Sequence, residues 1–134
     1  MSAPSIRPRS LSEVARRVAA GDQSFDPAVR EFLDTFYANP ETRQAAINDP
    51  PQLFDPLRDA YLAAVGEHLA RSYHLDIPAW CETRGLDLEH AFFAGGLESL
   101  KARLFVESPT SFRRRMLFVS KDALFRPRAV APGD

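Results

Sequence analysis

Residues 56–73 read PLRDAYLAAVGEHLARSY, and the fold is decided there. Asp55 supplies a helix N-cap and Pro56 a residue suited to the first helical position. Asp59, Ala63, Glu67 and Arg71 recur every fourth residue and form one narrow stripe, along which Glu67 and Arg71 pair across a turn. Off the stripe stand Leu57, Ala60, Tyr61, Leu62, Ala64, Val65, Leu69 and Tyr73, with Arg58, His68 and Ser72 as the polar exceptions. A helix apolar over more than half its circumference needs neighbours on several sides. The expectation is an all-α fold, a single compact bundle of about six to eight short helices around a central helix at 56–73.

Towards the N-terminus, residues 1–9 hold two prolines and little apolar content, which predicts a flexible tail. Ser10 and Glu13 form a capping box, and Leu11, Val14, Ala15 and Val18 follow at helical spacing until Gly21. Asp26-Pro27 opens a second helix with Val29, Phe32, Leu33, Phe36 and Tyr37 on its core face. Asn39-Pro40 stops it, because a residue before proline avoids the helical region. A short helix over 41–48 turns Ala45, Ala46 and Ile47 inward, Pro50-Pro51 breaks it, and Leu53 and Phe54 read as a hydrophobic staple.

Beyond the central helix, Pro78 opens a short helix to about residue 83, with Trp80 as a core anchor. Residues 87–93 read as a helix with Leu88, Phe92 and Phe93 inward, and Gly95-Gly96 as a turn. A helix over 97–106 runs through Leu97, Leu100, Leu104 and Phe105. Ser108 then caps a helix that begins at Pro109 and aligns Phe112, Met116 and Val119. Ser120 and Asp122 cap a last turn through Leu124 and Phe125. Leu117-Phe118-Val119 also reads as a short strand, but nothing in the sequence offers it a mate. These readings make 10–125 one helical domain and 126–134 a second flexible tail.

The chain of 134 residues is long enough for one core without staples. Its one cysteine, Cys81, precludes an intramolecular disulfide and fits a reducing compartment. No apolar run approaches the roughly 20 residues of a membrane span, and no apolar segment follows the basic N-terminus, so a cytoplasmic location is expected. Charge is uneven along the chain. Residues 1–66 carry seven Lys/Arg against nine Asp/Glu, whereas residues 99–128 carry eight against two. A basic end on a near-neutral protein points to an anionic partner.

The histidines His68, His74 and His90 stand at no metal-ligand spacing, and Cys81 has no C-x-x-C mate, so no metal or other cofactor is expected. His74, Cys81, Glu82 and His90 are the only candidates for catalysis, and they match no nucleophile motif. Gly95-Gly96 lacks the frame of a phosphate-binding loop. The expected function is therefore non-catalytic, through a partner-binding surface of Arg113, Arg114, Arg115, Phe118, Phe125 and Arg126. On a helix the three consecutive arginines spread over roughly 200°. Arg114 then lies opposite Phe112 and faces solvent, while Arg115 flanks the apolar face, where it would bridge to a carboxylate or cap carbonyls. Nucleic-acid binding by the same basic end is the alternative. A helix-turn-helix over 10–38 is disfavoured, since Asp26, Glu31 and Asp34 outnumber Arg30 on the would-be reading helix.

The run ESPTSFRRRMLFVS at 107–120, with DAL at 122–124 and RPR at 126–128, resembles the end of a group of small uncharacterised bacterial proteins. The opening LSEVARRVAAG at 11–21, REFLD at 30–34 and Phe36-Tyr37 are similar to the same group, whose best marker is S-P-x-x-F-R-R-R at 108–115. Its members resemble partners of nucleotidyltransferase-like toxin genes. That resemblance implies an antitoxin or accessory role and a protein partner encoded nearby, with no catalytic residues to carry over.

Overall fold

In a computed structural model, residues 7–88, 91–93, 107–121 and 123–126 are described. The protein is mostly helical, as its periodicity predicts. Among these residues the helices are α1 (Leu11–Ala19), α2 (Phe25–Ala38), α3 (Arg43–Asn48), α4 (Pro56–Ser72), α5 (Ala79–Thr83) and α6 (Thr110–Arg113), with a 3-10 turn at Pro40–Thr42. The only extended pairing among them is a parallel ladder, β1 (Phe92–Phe93) beside β2 (Leu117–Phe118).

α4 is the hub. Leu62, Ala63, Ala64, Val65, Gly66 and Glu67 are consecutive and all buried, so no face of its middle two turns meets solvent. Along the stripe, Ala63 and Glu67 are buried, Asp59 is half-buried and Arg71 is exposed. α6 packs along α4 and covers it. Asp55 accepts from the Arg58 N–H at 2.9 Å, and Asp59 reaches back to the N–H groups of Phe54 and Asp55 at 3.0 and 3.3 Å. Between them they satisfy three backbone donors at the start of the helix. The expected hydrophobic staple is replaced by this polar one: Phe54 is half-buried and Leu53 is 65% exposed.

α1 buries Leu11, Val14 and Ala15, and α2 buries Ala28, Val29, Phe32, Leu33 and Phe36. These join Ile47, the α4 side chains, Trp80 and Phe112 in one apolar cluster. The α2 carbonyls of Phe36 and Tyr37 accept from Arg43, whose guanidinium lies 4.4 Å from the Tyr73 ring. A cation from the next helix thus closes a C-terminus that carries no basic residue of its own. Trp80 donates its indole N–H to the Ile47 carbonyl at 2.9 Å, as a buried indole requires. Ala45 faces outward, so α3 turns only Ala46 and Ile47 to the core.

Five further expectations are corrected. Pro8 is buried and the Arg9 N–H donates to Glu13, so residues 7–9 lie on the fold. Phe92 and Phe93 are extended rather than helical, and they supply the mate that 117–119 lacked. The helix expected from Pro109 through Val119 ends at Arg113, because Met116 takes a φ of 60° and turns the chain into β2. Ser108 does not cap α6. Its hydroxyl accepts from the Val119 N–H at 2.8 Å and donates to the Val119 carbonyl at 2.9 Å, closing the base of the segment. Ser120 accepts from Ala123 in a turn rather than a helix. The expected turn at Gly95-Gly96, the expected helix over 97–106, Asp122 and the tails at 1–6 and 127–134 lie outside the described residues.

The close approach of the elements depends on two glycines. A Cβ on Gly66 would stand 2.5 Å from Cys81 Sγ and 3.2 Å from Leu11, which is where α1 and α5 meet α4. A Cβ on Gly85 would stand 2.5 Å from Ala60, and its φ of 78° is one that side chains disfavour.

Candidate functional site

The expected basic surface resolves into two places and an interior. Arg115 is wholly buried. Its Nη1 donates to Glu67 Oε1 at 2.7 Å and to the Ser111 carbonyl at 2.8 Å, its Nε donates to the Arg84 carbonyl at 2.8 Å, and its Nη2 donates to the Cys81 carbonyl. One guanidinium therefore ties α6 to α4, to the middle of α5 and to the residue that caps its C-terminal end. It bridges to a carboxylate while capping carbonyls, although the helix has already ended at Arg113 and its placement comes from the turn that follows. Arg115 is accordingly removed from any contact surface. Phe118 is removed with it, since β2 turns its ring inward and leaves it 6% exposed.

Glu67 is the anchor of this cluster. Its side chain is 1% exposed and takes Arg115 on one oxygen, with Arg71 at 2.9 Å and Arg114 at 3.4 Å on the other. Burial alone would raise its carboxyl. Hydrogen bonds from Arg115 and Arg71, and the charges of Arg115 and Arg114, outweigh burial and hold it below the usual carboxylate range. Burial likewise draws Arg115 down from its usual value, and the Glu67 contact opposes that. Three guanidinium groups share one carboxylate, so the cluster keeps a positive surplus.

That surplus reaches solvent through Arg71 and Arg114, whose side chains are 53% and 35% exposed. Arg114 also donates to the Glu82 carbonyl at 2.9 Å. Arg113 is exposed and makes no ion pair among the described residues. Met116, 39% exposed, follows on the same turn through its N–H to the Arg113 carbonyl. Arg126 is elsewhere: it forms a forked pair with Asp34 of α2 at 3.0 and 3.4 Å. The Leu124 carbonyl beside it accepts from the Tyr37 hydroxyl at 2.8 Å, and Phe125 protrudes, 68% exposed. Arg126 and Phe125 thus belong to the α2 side, apart from the arginines anchored on α4.

Among the described residues the candidates for catalysis form no cluster. Cys81 is buried against Gly66, and burial pushes its thiol up to about 12, although the Arg115 charge pulls the other way. Glu82 is exposed, His74 closes α4 at a φ of 57°, and His90 lies outside the described residues. His68 packs its ring 6.2 Å from Phe112, and burial lowers its basicity while Glu67 opposes. No group of three or more His, Cys, Asp and Glu is placed to hold a metal ion among the described residues, and no helix among them is long and apolar enough to cross a membrane. A shallow groove of about 390 Å³ runs between Leu53, Pro56 and Leu86.

Sequence pattern missed Arg71 as part of the cationic face. The signal was there in Glu67, an acid in the middle of a helix whose surroundings are largely apolar, which requires cations from somewhere. No family model, curated protein or solved structure matches the chain.

Proposed function

We propose that this protein is a non-catalytic protein-binding module whose contact surface is the cationic face of Arg71, Arg113 and Arg114 with Met116. The observation that carries the reading is the positive surplus around Glu67, held rigidly and delivered to solvent by two anchored arginines. Anchored guanidinium groups beside an exposed methionine suit a carboxylate-lined protein surface. The resemblance of 107–128 to partners of toxin genes gives the partner's class as a nucleotidyltransferase-type toxin, with this chain as antitoxin or accessory protein.

Co-expression with the product of the adjacent gene tests this. The expected result is a complex that survives purification, rescue of growth, and loss of both on Arg113→Glu. No complex and no rescue would remove the proposal. Nucleic-acid binding by the same face is the second reading, favoured by the same exposed arginines. It requires an affinity for DNA or RNA that falls steeply with salt. An affinity absent at low salt, or indifferent to Arg114→Glu, would end it.

A further inference from the structure

Glu67 Oε2 accepts from Arg71 Nε at 2.9 Å and from Arg114 Nη1 at 3.4 Å. Two guanidinium groups held on one oxygen stand within about 6 Å of each other, a separation that one tetrahedral oxyanion bridges. Each is fixed along part of its edge only. The terminal nitrogens of Arg71 have no protein partner among the described residues, and the side chain is 53% exposed. Arg114 spends Nη2 on the Glu82 carbonyl and keeps a 35% exposed side chain. The Glu82 carboxylate forms no ion pair with either group among the described residues. Behind them, the buried Arg115 on Glu67 Oε1 locks the carboxylate in place. The fork is therefore set before any ligand arrives, and little side-chain freedom is lost on binding.

We propose that Arg71 and Arg114 form a binding site for the dianion of a phosphate monoester. Three guanidinium groups against one carboxylate leave a surplus of two charges, and a phosphate monoester carries about −1.5 to −2 near neutral pH. It also offers three terminal oxygens to two forks. A phosphodiester, the unit of a nucleic-acid backbone, has one charge and two such oxygens and fits the surplus poorly. This site goes beyond the protein-partner reading. Its test contains no partner, so either can fail while the other stands.

The experiment follows the arginine Nε–H signals of the whole chain by NMR at low ionic strength. Inorganic phosphate, a nucleoside 5′-monophosphate and dimethyl phosphate are titrated in parallel. Phosphate is expected to shift Arg71 and Arg114 to saturation, with dimethyl phosphate at least about tenfold weaker. Arg71→Gln should lose about tenfold in phosphate affinity, Arg71→Lys should fall between, and Arg16→Gln on α1 should bind as the parent does. A nucleoside monophosphate that binds more tightly than phosphate identifies a ligand carried on an organic group; equal binding identifies the free anion. Equal affinity for phosphate and dimethyl phosphate, or phosphate binding that survives both Arg71 substitutions undiminished, overturns the proposal.

Discussion

Replacing Glu67 by glutamine should be among the most damaging single changes available to this protein. The substitution keeps the shape and removes the charge from a side chain that is 1% exposed. Arg115 would keep the carbonyls of Cys81, Arg84 and Ser111 but would be a buried cation with no counter-charge. Breaking a buried pair from one side costs about 3–5 kcal/mol, against a total stability of about 5–15 kcal/mol for a domain. For a chain of this size that is a drop in Tm of very roughly 10–20 °C. Replacing both partners at once, Glu67→Leu with Arg115→Met, removes the desolvation cost along with the attraction. The double variant should be more stable than either single one, a coupling that a double-mutant cycle reads directly. Acid should reproduce the single change. The Glu67 carboxyl is depressed in the folded state, so its contribution is fully present above the unfolded-state value and is lost as pH falls through the folded one. Urea melts followed by circular dichroism at neutral and acidic pH measure all of this. A Glu67→Gln protein within about 1 kcal/mol of the parent, a fifth to a third of the expected loss, or singles whose costs simply add in the double, would refute the reasoning.

Three other outcomes follow from the same geometry. His74 sits at a φ of 57°, where the Leu75 N–H closes onto the Ala70 carbonyl at 2.8 Å, so His74→Gly should raise stability by about 1 kcal/mol in a urea melt. Gly85→Ala should cost at least about 2 kcal/mol by the same assay, because its Cβ would stand 2.5 Å from Ala60 and the backbone there is left-handed. Cys81 should react with a thiol reagent no faster than the protein unfolds, since its thiol is buried and pushed up to about 12; labelling of the folded protein within minutes would contradict that placement.

The helices that pattern predicts well are those in which periodicity and caps agree. α1 has its Ser10 cap bonded to the Glu13 N–H at 3.1 Å, and Gly21 at a φ of 79° ends it. α4 runs from the Asp55 cap to Ser72. Legibility fails where one residue's backbone overrides the pattern. Phe112, Met116 and Val119 keep helical spacing, but Met116 enters the left-handed region, and the next residue begins a strand. No local rule announces that, since the mate of β2 is Phe92, far back in sequence. The candidate site was legible in kind but not in membership. Its charge was plain in the composition of 99–128, yet Arg115 and Phe118 turned inward and Arg126 found Asp34. Arg71 and Arg114 face water while Arg115 serves as an internal strut, although all three hold Glu67.

The return of the C-terminal segment has a consequence for synthesis. Leu124 and Arg126 meet Tyr37 and Asp34 across about two-thirds of the chain, and Arg115 must arrive before Glu67 has a full set of counter-ions. A ribosome that has emitted α1 through α5 has therefore delivered a nascent hub helix with one flank still bare. At about 5–20 residues per second that flank waits several seconds for its cover. A transcript cut short of residue 107 therefore leaves the buried face that α6 and Arg115 cover open to water.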